Sequence, residues 1–185
     1  MTRRNKSALI IMTLIINVLC SAFAMGQENY PIPPKTDKLL FYFQRSHNRN
    51  TVIYELNTLP SGQIDINKPV IFYWIRYEEM GVKKDLTFFQ RKAYGLDWKL
   101  TDNVKKSFVL HFKCFKKRAI YLMKVDGANT YKTYTSINGE LSELTSMYMK
   151  SENNSLGIPL AVKYIELLGI SLKSNKDITE RYIPN

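Results

Sequence analysis

The sequence predicts an all-β domain, or a β-rich α+β domain, built as an antiparallel β-sandwich or barrel of about 8–10 strands with one short accessory helix. Three observations predict this fold. Short runs rich in β-branched and aromatic residues recur along the chain, turn residues separate them closely, and a single stretch has helical periodicity. Tight connections favour antiparallel neighbours, because parallel strands need long crossovers.

The first 24 residues have the layout of a secretory signal peptide. Arg3, Arg4 and Lys6 precede an apolar run over residues 8–19, and the letters AFA at residues 22–24 fit a cleavage site. The apolar stretch is slightly short for a bilayer span, which needs about 20 residues. We therefore predict an exported protein, periplasmic or secreted, with no transmembrane span after signal cleavage.

Cleavage after residue 24 or 26 leaves roughly 160 residues, enough for one domain with a substantial core. Residues 25–38 hold three prolines and predict an extended lead-in, and residues 39–185 form the single β-rich domain. Because 3 cations and no acid leave with the signal, the formal charge falls from +11 to +8. Such a charge suits anionic partners, or it serves solubility alone.

The strands follow one another with short connections. A polar turn at residues 46–50 predicts a first hairpin, and the run from residue 70 is apolar on both faces, as in a central strand. Asn138-Gly139 is a strong hairpin signal. The predicted strands cover residues 39–45, 51–57, 70–78, 107–114, 118–125, 130–137, 144–149, 162–168 and 177–183. The stretch 144–149 also fits one helical face.

One helix is predicted over residues 85–93. Asp85 can cap its start, Leu86 and Phe89 repeat at helical spacing, and Gly95 follows its end, where a left-handed residue stops helices. A helix this short is unstable alone. Leu86 and Phe89 are therefore expected to pack on the sheet.

The main catalytic signatures do not occur in the sequence. Only two histidines, His47 and His111, are present, which excludes a His-rich metal site but leaves a site of mixed ligands open. His111 and Cys114 lie three apart, so a strand would point them to opposite faces and separate a Cys–His dyad. We predict no catalytic residues, no metal and no cofactor. The sequence favours a non-catalytic domain and leaves an enzyme open.

Aromatic residues alternate along two of the strands. Phe41 and Phe43 share one face, as do Phe72 and Trp74, and these faces predict a dry core. The tyrosines leave a hydroxyl available to water or a ligand, or they form a second half-buried layer under the helix. Polar side chains among these rings form the predicted ligand-binding set: Gln44, Arg45, Tyr73 and Arg76.

Basic side chains crowd the turn between two strands of the meander. They form the set predicted to contact an anionic surface: Lys113, Lys116, Lys117 and Arg118. The alternative is that lysines only protect loops and edges against aggregation. Nucleic acid is not expected as a partner, because the aromatic residues follow strand alternation and do not form an RNA-binding motif.

Four stretches in order carry a family resemblance. They read LLFYFQRSHNRNTVIYELN from residue 39, PVIFYWIRY from residue 69, LTFFQRKAYGL from residue 86, and VKYIELLG with ITERYIP from residues 162 and 178. Together they resemble the bacterial domain-of-unknown-function family DUF4833 over about residues 30–184. The resemblance implies a secreted or periplasmic domain. It implies no activity, so no catalytic residue carries over.

We predict a non-catalytic binding or interaction module of the bacterial cell envelope, whose partner is an anionic envelope component or another envelope protein. Two alternatives stay open. An extracytoplasmic hydrolase would use an Asp/Glu pair across a cleft, with candidates at residues 78–79 and 140–143. A β-barrel carrier would hold a small apolar ligand in a cavity lined by Phe, Leu and Trp.

Overall fold

The computed structural model describes residues 30–128, 130–152 and 161–184, and residues 31–185 form one compact unit. Of the described residues, 57% are in strands and 7% in helices, with 11 strands in one sheet curled into a half-barrel, so the predicted β-rich class is confirmed. The predicted signal peptide at residues 1–24 and the first part of the lead-in lie outside the described residues. Among those described, no helix is long and apolar enough to cross a membrane.

The strands include all nine of the predicted runs. Strands β1 to β11 span Leu39–Arg45, Thr51–Leu56, Val70–Arg76, Val82–Lys84, Leu96–Asp102, Ser107–Phe112, Phe115–Lys124, Tyr131–Ile137, Glu140–Ser151, Val162–Ser171 and Asp177–Tyr182. Helix α1 spans Phe88–Tyr94. The stretch 144–149 is strand, as part of β9. Strands β4 and β5 were not predicted.

The sheet forks at β9. Strand β10 pairs with residues 142–151 of β9, β8 pairs with residues 140–143, and β1 pairs with residues 146–149. A strand has only two edges, so β8 and β1 share the edge opposite β10. Two arms leave this edge: the N-terminal arm, β1 to β4, and the meander arm, β8 to β5. All pairs are antiparallel except β1 with β9, which is parallel.

Thr133 and Gly169 mark the fork. The buried Thr133 hydroxyl lies 3.3 Å from the carbonyl oxygen of Leu40 in β1 and 3.4 Å from that of Leu144 in β9. On the other edge, a Cβ at Gly169 would lie 2.3 Å from the carbonyl oxygen of Glu143. Glycine therefore allows β10 to follow β9 closely at the register shift.

The two arms face each other across one hydrophobic core. Phe112 of β6 packs edge-on against Phe41, Phe43 and Tyr54 of the N-terminal arm, with ring centroids 5.8–6.3 Å apart. Phe41 also stacks on Tyr54 at 4.3 Å. Phe41, Phe43 and Trp74 are buried, as predicted for core-facing rings, whereas Phe72 is only half-buried against the core. Burying each such ring stabilises the fold by about 1.5–3 kcal/mol.

Tyr54 is a tyrosine that lies in the core and not at the surface. It is fully buried, and its hydroxyl donates to the carbonyl oxygen of Tyr94 at 2.7 Å. Burial raises the pKa of Tyr54 well above its ordinary value. The expectation that tyrosine hydroxyls stay available to water or a ligand is therefore wrong for this residue.

Helix α1 begins later than predicted. Thr87, not Asp85, is the N-cap: its hydroxyl accepts from the backbone N–H of Gln90, and the Gln90 side chain accepts from the backbone N–H of Thr87. This reciprocal pair is a capping box, which outcompetes a single capping carboxylate two residues earlier.

The packing of α1 also differs from the prediction. Leu86 is buried as expected, but Phe89 is 78% exposed, so the expectation that it packs on the sheet is wrong. Tyr94 in the last turn packs there instead. Gly95 is extended, with φ −70°, and not left-handed. A Cβ at Gly95 would lie 2.2 Å from the carbonyl oxygen of Arg91, so close approach and not positive φ explains the glycine.

Candidate functional site

The predicted ligand-binding set lies on two faces of the N-terminal arm. Gln44 and Tyr73 lie on the outer face, where Gln44 donates to the Thr51 hydroxyl at 3.2 Å. Arg45 and Arg76 share the inward alternation, Arg45 with Phe43 and Arg76 with Trp74, and Arg76 forms an ion pair with Glu79. The structure does not bring the four residues together, and Arg45 is the one that reaches aromatic core residues.

Arg45 lies at the end of β1 among aromatic rings. Its guanidinium carbon lies 5.4 Å from the centre of the Trp74 ring, and its Nη1 donates to the Tyr94 hydroxyl oxygen at 3.3 Å. The rings of Trp74 and Tyr94 contact edge-on, with centroids 5.5 Å apart, and both residues are buried. We call Arg45, Trp74 and Tyr94 the arginine cluster.

The arginine cluster holds donors without acceptors. Arg45 Nε and Trp74 Nε1 are buried and have no hydrogen-bond partner. Among the described residues, Arg45 forms no ion pair, and the Tyr94 oxygen is its hydrogen-bond acceptor. A buried donor without a partner costs about 1–3 kcal/mol, and more if it is charged. The missing partners are all acceptors, so an anion is the complementary group.

The end of β1 is held against β9. The parallel register pairs Arg45 with Met149, and the N–H of Ser46 donates to the Met149 carbonyl oxygen at 2.8 Å. His47 Nε2 lies 2.9 Å from the carbonyl oxygen of Ser151, which can only accept, so Nε2 is the donor. His47 adopts φ 77°, a left-handed conformation that these contacts hold. The backbone that carries Arg45 is therefore held against β9.

The residues of the predicted basic set also lie in two different environments, the surface and the interior. Lys113 and Lys116 face Asp97 at 3.9 and 3.7 Å, and both lysines are exposed enough for these ion pairs to contribute about 0–1 kcal/mol. Lys117 is exposed on β7. Arg118 instead points inward and forms an ion pair with Glu180 of β11. Three of the four residues thus remain at the surface.

Both terminal nitrogens of Arg118 have acceptors. Arg118 contacts both Glu180 carboxylate oxygens and the Ser136 carbonyl oxygen, and Glu180 also accepts from the N–H of Asn138 at 2.6 Å. The Arg118 and Glu180 side chains are 19% and 17% exposed. Burial works to raise the pKa of Glu180, but the hydrogen bonds from Arg118 and Asn138 and the charge of Arg118 outweigh it and lower that pKa.

Helix α1 links the arginine cluster to the basic turn after β6. Tyr94 contacts Arg45, and the neighbouring Gly95 carbonyl oxygen accepts from the N–H of Lys113 at 2.9 Å. Cys114 Sγ donates to the Ala93 carbonyl oxygen at 2.8 Å. Burial raises the pKa of the Cys114 thiol, which disfavours a reactive thiolate. Arg45 and Lys113 therefore lie at the same end of the half-barrel.

Two of the four acidic residues considered for hydrolysis are engaged by cations. Glu79 forms ion pairs with Arg76 and Lys84, and Glu143 with Lys132 at 2.6 Å. Glu78 instead accepts from the backbone N–H of Arg49 at 3.1 Å, and Glu140 accepts from the Ser171 hydroxyl. The Lys84 hydrogen bond is the main cause that lowers the pKa of Glu79, whereas a general acid needs a raised one. Within the described part of the chain, no three His, Cys, Asp or Glu residues group as a metal site would require.

A family model described as "Domain of unknown function (DUF4833)" matches residues 41–181. The chain belongs to this family. The resemblance found in the sequence is thereby confirmed, and the matched range includes the whole arginine cluster of this DUF4833 domain. No curated protein and no solved structure gave a match.

Sequence reasoning found Arg45 but not its neighbours. Trp74 was assigned to the core, and Tyr94 lay just beyond the predicted end of the helix. One signal points to the cluster: Arg45 shares its strand face with Phe41 and Phe43, and a cation in that register needs a partner.

Proposed function

We propose that this DUF4833 domain is an exported, non-catalytic binding module of the bacterial cell envelope that holds an anionic group of an envelope component at the arginine cluster. The observation that carries the proposal is the pair of buried donors, Arg45 Nε and Trp74 Nε1, that have no acceptor. A carboxylate, phosphate or sulfate oxygen is the group that would satisfy them.

The chemistry of the cluster suits binding without turnover. A guanidinium near an indole face keeps N–H donors for a planar anion, and partial burial strengthens each hydrogen bond. Burial raises the pKa of Tyr94 although the charge of Arg45 lowers it, so the hydroxyl stays protonated and can donate. None of these groups is a nucleophile or a general base at neutral pH.

The surroundings favour anions as well. Lys113 and Lys116 lie at the same end of the half-barrel, and the formal charge is +8 after the proposed signal cleavage. A positive field raises the local concentration of anionic ligands before contact. By contrast, the rings that an apolar carrier would need for its cavity pack on one another in the core.

Export is supported by the layout of residues 1–24. Mass spectrometry of the protein purified from its host tests it. We expect a mature chain that starts at Met25 or Gln27, depending on the cleavage position. A chain that retains Met1 would contradict signal cleavage, and its recovery from the cytoplasmic fraction would contradict export.

Anion binding is tested by isothermal titration calorimetry of the full chain with inorganic phosphate, sulfate and acetate at constant ionic strength. We expect saturable 1:1 binding of at least one anion. Arg45→Met should weaken it at least about tenfold, and Tyr94→Phe about threefold, because charge-assisted hydrogen bonds are lost.

Arg49→Met is the matched control. It removes the same charge from an exposed position in the same hairpin, so the affinity should stay unchanged. Binding of none of the three anions, or equal weakening by Arg49→Met and Arg45→Met, would contradict the proposal.

A further inference from the structure

A cleft of about 970 Å³ opens at the end of the strands opposite the arginine cluster. Lys38, which lines it, immediately precedes β1, whereas Arg45 is the last residue of β1. At strand rise these ends lie about 20 Å apart. The volume is in the range of small-molecule sites. The cleft is therefore a separate feature of the molecule.

One wall of the cleft is an ordered apolar loop. The connection from β2 to β3 is closed by the bridge between Thr58 and Ile64, and the N–H of Leu59 donates to the Gln63 carbonyl oxygen at 2.8 Å. Ile64 is buried in this wall, whereas Leu59 and Ile66 are about half exposed to the cleft side. These half-exposed side chains form apolar surface that a ligand can cover.

The rim of the cleft carries unbalanced positive charge. Lys38, Lys106 and Lys124 line it, and Asp37 is the acid among the lining residues. Lys38 Nζ donates to a threonine hydroxyl and Lys106 Nζ to an asparagine side chain, both neutral. Within the described residues, the Lys124 side chain has no hydrogen-bond or ion-pair partner. Three cations therefore face one carboxylate across the opening.

We propose that this cleft binds a single-chain anionic amphiphile, with its chain along Leu59, Ile64 and Ile66 and its head group at the lysines. A purely apolar ligand would cover the lysines without offering them an acceptor, and a small inorganic anion would leave the apolar wall in water. A ligand with both parts satisfies both surfaces. Fatty carboxylates and lysophospholipid phosphates share this chemistry.

Calorimetric titration of the full chain below micellar concentrations tests the proposal. Dodecanoate should bind at 1:1 and about tenfold more tightly than decanoate, because two more methylenes are buried. Lauroyl lysophosphatidic acid, with the same chain, distinguishes a phosphate source from a carboxylate source. The uncharged ester monolaurin should bind at least about tenfold more weakly than dodecanoate.

Variants locate the site. Lys106→Met combined with Lys124→Met should weaken dodecanoate binding at least about tenfold, and Ile66→Asn, at a half-exposed position, about threefold without changing the thermal unfolding midpoint. Lys99→Met, at an exposed position of β5, is the charge control and should have no effect.

Several outcomes would overturn the proposal. They are the absence of dodecanoate binding, equal binding of monolaurin, and equal weakening by Lys99→Met and the double variant. Arg45→Met should leave dodecanoate affinity unchanged, and loss of affinity in that variant would assign the ligand to the arginine cluster instead.

Discussion

Arg45 and Arg118 stand in comparable places in the two arms and have opposite surroundings. Arg45 continues the inward alternation of Phe43 along β1, and Arg118 begins that of Ile120 along β7. Arg118 meets the carboxylate of Glu180. Arg45 meets the ring of Trp74 and the neutral hydroxyl of Tyr94, and its Nε has no acceptor.

The comparison distinguishes charged residues that stabilise the fold from charged residues that are available for binding. A cation whose counter-charge comes from its own chain serves the fold, and removing one partner strands the other in a poorly solvated place. A cation held in position without a counter-charge contributes little to the fold. Its unfilled hydrogen bonds make it a candidate for recognition, which is a stronger criterion than a count of surface lysines.

The largest expected effect comes from breaking the satisfied pair. Glu180→Gln leaves Arg118 without a charge partner and should lower the free energy of unfolding by about 2 kcal/mol, less than for a fully buried pair because both side chains keep some exposure. Urea unfolding measures it. The control Glu166→Gln breaks the more exposed pair with Arg181 and should cost about 0.5 kcal/mol. Equal losses would remove the distinction.

Acid titration sharpens the same comparison. The pKa of Glu180 is lowered in the folded chain, so its stabilising contribution is complete above its unfolded pKa of about 4.3 and is lost as pH falls through the folded pKa. The stability gap between the wild type and Glu180→Gln should therefore narrow below pH ~4. Thermal unfolding from neutral to acidic pH measures the gap. A gap that stays constant with pH would contradict the assignment.

The smallest expected effect is at the other arginine. Arg45→Met strands no carboxylate and keeps an unbranched side chain against Trp74, so the free energy of unfolding should change by about 0.5 kcal/mol or less, in either direction. Arg118→Met supplies the contrast, because it strands Glu180. Equal destabilisation by the two substitutions in urea unfolding would show that Arg45 is structural too.

Local sequence predicted most strands well because the alternation of apolar and polar residues is visible within each strand. The three residues of β4 are all exposed and carry no alternation, so β4 could not be found. Strand β5 does alternate, with Leu96 buried and Trp98 and Leu100 half-buried. This alternation is a sequence signal for a strand directly after the helix. The parallel pairing of β1 with β9 joins distant segments and leaves no local trace.

The site was predictable only in part for the same reason. Arg45 stands out because its alternation with Phe43 is local. The partner of Arg118 is Glu180 on β11, 62 residues away, and no residue near Arg118 in the sequence predicts this ion pair. The cleft at the other end is formed by four separate connections, none of which is unusual by itself.

The fork at β9 has a consequence for how the chain folds. Ser46 and Ser151, which contact each other at 3.2 Å where β1 meets β9, are 105 residues apart in sequence. Each arm can form its own hairpins early, but β9, which joins the two arms in one sheet, is available only after residue 140 has been synthesised. Closing so long a loop is entropically costly, and high contact order slows folding. Nascent chains that end before β9 would therefore expose the apolar faces of two incomplete sheets and depend on chaperone protection.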